Sequence, residues 1–120
     1  MNYKNKQLEI KRIKSLMLNP YGEGLLKLTS GESELHARVK AQVFHYLKCQ
    51  NYEVFSECNL RGFSRRVDIF AIHPSTQAVI VEILASESEL KALQKQINSP
   101  EGIDFIKVDA NKFNYRDFKI

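Results

Sequence analysis

Two short apolar runs, each carrying one acid, constrain this chain more than any other feature. They are Arg66-Val67-Asp68-Ile69-Phe70-Ala71-Ile72 and Ala78-Val79-Ile80-Val81-Glu82-Ile83-Leu84. Both are rich in strand formers, and His73 to Gln77 between them has the composition of a turn. Their near-continuous apolar character predicts strands covered on both faces. An unpaired ionised carboxylate in that setting costs several kcal/mol. The chain must therefore place Asp68 and Glu82 at solvated strand ends, beside a cation such as Arg65 or Arg66, or on a divalent metal. Neighbouring strands joined by the turn bring both carboxylates to one point, and hard oxygen donors there suit Mg²⁺ or Mn²⁺.

The flanking segments predict what surrounds these strands. Residues 4–18 read as a helix, with Ile10, Ile13 and Met17 at helical spacing and Lys4, Lys6, Lys11, Arg12 and Lys14 around them. Asn19-Pro20-Tyr21-Gly22 breaks it. Leu35, Val39, Val43 and Leu47 recur every four residues and define a second helix, capped near Ser33 and ending at about Lys48. Residues 52–58 read as a first strand. A third helix begins at the capping box Ser86-Glu87-Ser88-Glu89, buries Leu90, Leu93 and Ile97, and stops at Ser99-Pro100-Glu101-Gly102. Ile103 to Asp109 reads as the last strand, and Phe113, Tyr115 and Phe118 as a short strand or a packed flap. The expected organisation is a basic N-terminal helix and linker over residues 1–30, then one α/β domain over residues 31–120.

Composition limits the function classes. With 120 residues, 43 % of them hydrophobic, the chain has enough apolar material for one core without a staple. No apolar run approaches the roughly 20 residues of a membrane helix, and Leu16-Met17-Leu18 is too short for a signal peptide. The expectation is a cytoplasmic or nucleoid-associated protein with no membrane partner. Cys49 and Cys58 lack metal-ligand or CxxC spacing and are expected as reduced thiols. A formal charge of +4 favours an anionic partner such as DNA. Arg61, Arg65 and Arg66, with Gly62 and Phe63, precede the Asp68 strand and suit phosphate contacts at a site rim; one of them could equally pair with Glu57 or Asp68.

The order of these residues resembles a known family. Glu32-Ser33-Glu34-Leu35-His36 opens a long helix, Glu57 follows on a strand, then Arg65-Arg66-Val67-Asp68, then Val81-Glu82-Ile83-Leu84, then a helix with Lys91 and Lys95. Over roughly residues 30–110 this is similar to the PD-(D/E)XK, or restriction-endonuclease-like, nuclease superfamily, and most similar to its competence-protein CoiA branch. The resemblance implies a mixed β-sheet flanked by helices, with an α-β-β-β-α-β core and an extra N-terminal helix. It implies a divalent-metal-dependent DNA endonuclease that uses Mg²⁺ or Mn²⁺. Asp68 and Glu82 would hold the metal, joined by Glu34, directly or through water, and by the carbonyl of Ile83. Glu57 and His36 would stand behind these ligands.

One departure from the pattern leaves the activity open. The family's lysine lies two residues after its second acid, and here that residue is Leu84. Lys91 or Lys95 could reach back to supply the missing charge; a glutamine replaces the lysine in some branches; or the fold could bind nucleic acid or a partner protein without cutting. A homodimer, or a larger complex docked through the basic N-terminal helix, stays open as well.

Overall fold

A computed structural model describes residues 2–18, 24, 26–27, 32–63, 66–85 and 102–120. The elements run α1 (Tyr3–Lys14), α2 (Glu34–Cys49), β1 (Glu53–Cys58), β2 (Val67–Ile72), β3 (Ala78–Leu84) and β4 (Ile103–Asp109). The α/β class and the mixed sheet are as expected from the sequence. The predicted third helix, with Ser86, Lys91 and Lys95, lies outside the described residues. No described helix is long and apolar enough to cross a membrane.

The four strands lie in the order β1-β2-β3-β4. β1, β2 and β3 form an antiparallel meander, and β4 joins β3 in parallel, with Ile80 opposite Phe105 and Leu84 opposite Asp109. A parallel pair cannot be joined by a tight turn and needs a crossover connection.

Alternation along the strands builds two cores, one on each face of the sheet. Val54, Ile69, Ala71, Val79 and Val81 pack with the Val39, Val43 and Leu47 stripe of α2. Phe55, Phe70, Ile72, Ala78 and Ile80 pack with Ile13 and Met17 on the other face. All of β3 is buried, as its uninterrupted apolar run requires. The tail does not form a strand; Phe113, Phe118 and Ile120 pack against the α2-side core, and Tyr46 meets Phe118 edge-on at 5.0 Å between ring centroids.

α1 ends four residues before the periodicity predicts. The Ser15 amide donates to Lys11 O and its hydroxyl to Arg12 O, which closes the last turn of the helix. Beyond it, Leu18 N donates to Asn59 O and Arg61 N donates to Leu16 O, so residues 16–18 pair with the segment after β1 instead of continuing the helix. Met17 keeps its place in the core, but as part of a bridge to Leu60.

Candidate functional site

The site begins with a break in alternation. Glu57 has φ +53°, in the left-handed region that a β-strand residue rarely adopts. Phe55 packs on the α1 side, so regular alternation would turn Glu57 to that side too. Instead Cys58 packs there, and the Glu57 carboxylate reaches α2. Across the ladder the register runs from Ser56–Ile69 to Cys58–Val67, which sets Glu57 opposite Asp68. Val67 likewise faces the α1-side core, and Asp68 reaches α2. Two acids are thereby turned to the same side at one end of the sheet.

At the same end β2 and β3 part. Their ladder runs from Ile72–Ala78 to Ile69–Val81 and stops. The amides of the next rungs are taken by side chains: Ile83 N donates to Asp68 Oδ2 at 2.7 Å, and Asp68 N donates to Glu82 Oε1 at 3.3 Å. Buried amides need acceptors, and the two carboxylates supply them. Asp68 and Glu82 therefore converge, as the two interrupted runs predict. The Glu82 residue is only 4 % exposed.

α2 contributes the rest. Ser33 caps the helix by accepting from His36 N at 3.1 Å. His36 Nδ1 is hydrogen-bonded to Glu32, and its Nε2 lies 3.3 Å from Asp68 Oδ2. Lys40, wholly buried, donates from Nζ to Glu32 Oε1 at 3.0 Å and to Glu57 Oε1 at 2.9 Å. Glu57 Oε2 in turn lies 3.8 Å from Arg66 Nε, whose side chain is largely in solvent. The result is one continuous chain of charged contacts from Arg66 through Glu57, Lys40, Glu32 and His36 to the acidic pair.

The electrostatics follow from this packing. The hydrogen bond to Asp68 favours the protonated imidazole of His36; burial opposes it, but the Asp68 charge and the Glu32 contact add to the bond and raise the ring's pKa to about 9. Burial pushes the Asp68 carboxyl up, and the bonds from His36 and the Ile83 amide outweigh it, holding Asp68 below the usual carboxylate range. His36 is thus an imidazolium, and both ring nitrogens donate.

The residues singled out in the sequence fall into three groups. Asp68, Glu82, His36 and Glu57 meet in the cluster, with Ile83 contributing its amide. Glu34 is exposed on the first turn of α2, and the acid that this segment brings to the cluster is Glu32. Arg61 and Arg66 are exposed, and Arg66 borders the cluster through its contact with Glu57. Arg65, Lys91 and Lys95 lie outside the described residues. Leu84 is buried. The sequence reading passes over Lys40 and names Glu32 only within the motif that opens α2. A signal for both was present: Glu32, His36 and Lys40 are spaced four apart, in register with the apolar stripe Leu35, Val39, Val43 and one residue beyond it, so they line a neighbouring helix face.

The donor set fits a hard divalent cation. Two carboxylates from adjacent strands converge where the ladder opens, and Mg²⁺ is commonly bound by one or two carboxylates with water and substrate phosphate. Among the described residues, no three Asp, Glu, His or Cys side chains are grouped closely enough to enclose an ion unaided.

In comparison with known families, residues 32–101 fit the model described as Competence protein CoiA, nuclease-like domain. No curated protein and no solved structure matches the chain.

Proposed function

The chain belongs to the CoiA nuclease-like domain family, and we propose that it is a divalent-metal-dependent DNA endonuclease with Asp68 and Glu82 as its metal-holding pair. The observation that carries this reading is the parting of β2 and β3 at the two acids, with each carboxylate fixed by a backbone amide of the facing strand. Such anchoring presets the carboxylates, so that little reorganisation accompanies binding. When bound, Mg²⁺ or Mn²⁺ supplies Lewis-acid stabilisation of the phosphoryl group and a lowered pKa for a coordinated water.

The chain's own residues divide the remaining tasks. His36 holds Asp68 Oδ2 from one side and the Ile83 amide from the other, which fixes the carboxylate's orientation. The carbonyl of Ile83 is a further ligand in this reading. Arg66, exposed beside the cluster, and Arg61, exposed after β1, engage DNA phosphates together with Arg65 in this reading. Lys91 and Lys95 stay candidates for contacting the reacting phosphate.

The test is direct. Purified protein with Mg²⁺ or Mn²⁺ is expected to nick supercoiled plasmid, and Asp68→Ala and Glu82→Ala are each expected to abolish nicking. Failure to cut single-stranded, duplex and branched DNA with Mn²⁺ refutes the nuclease reading for this chain.

A second reading draws on Leu84. This residue stands where the resemblance places a lysine and is only 3 % exposed, packed into the core. Removing one such electrostatic group typically lowers a rate by about 10²–10³-fold. On this reading the domain binds DNA or a partner protein without cutting. It predicts DNA binding that is salt-sensitive and unchanged by EDTA, with no cleavage product under any metal.

A further inference from the structure

The buried lysine of α2 has an arrangement that stability does not account for. Lys40 is wholly shielded from solvent and its ammonium sits between the carboxylates of Glu32 and Glu57. A buried ionic triad returns little more than the desolvation of its members costs, and apolar residues of similar volume often serve a core as well or better. What the triad does supply is geometry. Lys40 Nζ lies 3.0 Å from Glu32 Oε1 and 2.9 Å from Glu32 Oε2, so it straddles the carboxylate and resists its rotation. Glu32 Oε2 is also the partner of His36 Nδ1, and the opposite ring nitrogen of His36 faces Asp68 Oδ2 at 3.3 Å. Each link is one step closer to the acidic pair.

We propose that Lys40 is a positioning residue for the acidic pair. By clamping Glu32 it orients the His36 ring, and the ring fixes the Asp68 carboxylate beside Glu82. The consequence for rate rests on the nuclease reading; the consequence for geometry does not. Displacing a reacting group's support by about 1 Å costs on the order of 10²-fold in rate.

Lys40→Met alone deprives two buried acids of their shared ammonium and risks unfolding. The test therefore uses Lys40→Met combined with Glu57→Gln, compared with Glu57→Gln by itself. The double variant removes one positive and one negative charge, so the formal sum over Lys40, Glu32 and Glu57 stays at −1. Three measurements are made: a thermal melt to establish folding, kcat and KM for plasmid nicking with Mg²⁺, and a crystal structure of the double variant. The expected result is a folded protein whose kcat falls about 10²-fold below Glu57→Gln with KM for DNA unchanged, and whose His36 Nε2 and Asp68 Oδ2 are no longer in contact. Glu32→Gln, which breaks the next link, is expected to lower kcat similarly, and its effect is expected not to add to that of the double variant. A kcat within threefold of the Glu57→Gln reference overturns the proposal. If wild-type protein cuts no DNA, the nuclease reading fails separately, and the His36–Asp68 contact decides: its loss in the double variant supports the positioning role, and its retention overturns it.

Discussion

His36 makes the stability of the metal-free protein depend on pH in a direction opposite to that of an ordinary buried histidine. The ring's pKa is raised from 6.5 in the unfolded chain to about 9 in the fold, first by its hydrogen bond to Asp68 and then by the charges of Asp68 and Glu32. A raised folded-state pKa means that the native protein binds the proton more tightly. The stabilisation is complete below about pH 6.5, declines as the unfolded chain gives up its proton, and is gone once pH exceeds about 9. The full linkage for such a shift is about 3 kcal/mol. The ring keeps some access to water, with its side chain 12 % exposed, so screening reduces the effect to about 1–2 kcal/mol. The assay is urea denaturation in EDTA at pH 6, 7.5 and 9.5, on wild type and on His36→Gln, which keeps a donor but does not titrate. Wild type is expected to lose about 1–2 kcal/mol between the first and last pH, and the variant to lose less than half of that. Equal losses in the two proteins would refute the assignment of His36 as the proton-binding group.

Three further outcomes follow from the geometry. Phe70→Ala removes a wholly buried ring from the α1-side core and is expected to lower unfolding free energy by about 3–5 kcal/mol in urea titration. Cys49 is exposed, whereas Cys58 is buried and its thiol pushed up to about 11 by burial; a thiol reagent at pH 8 is expected to label Cys49 within minutes and Cys58 only on unfolding, as read by mass spectrometry. Arg66→Ala is expected to weaken DNA binding without regard to sequence and to reduce the slope of log K against log salt by about one, measured by fluorescence anisotropy.

The sheet was legible because its signals are local. β3 and β4 begin and end where the apolar runs do, and the α2 stripe of Val39, Val43 and Leu47 is the face that packs. The acidic pair was legible for the same reason: one charge inside an apolar strand is conspicuous. What supports the pair was not. Glu57 reaches Lys40 only because its backbone leaves the strand's alternation, and no neighbour of Glu57 in the sequence announces a left-handed residue. Lys40 resembles any helix lysine until the sheet covers it. Position 34 drew attention over position 32 because it lies inside the helix, whereas the chain just before the Ser33 cap turns Glu32 onto the same face as His36 and Lys40. The early end of α1 was hidden because it depends on pairing with residues 59–61, more than forty positions away.

The topology bears on how the domain is made. β1, β2 and β3 follow one another in sequence and in space, and α2 directly precedes them, so the strands holding Glu57, Asp68 and Glu82 close through short loops. β4 docks in parallel at the end and waits for a long crossover, whose closure entropy must be met before its contacts form. The acidic pair is therefore assembled through the chain's shorter closures, and the last strand is expected to dock after it. In hydrogen exchange, the amides between β2 and β3 are expected to gain protection before those between β3 and β4.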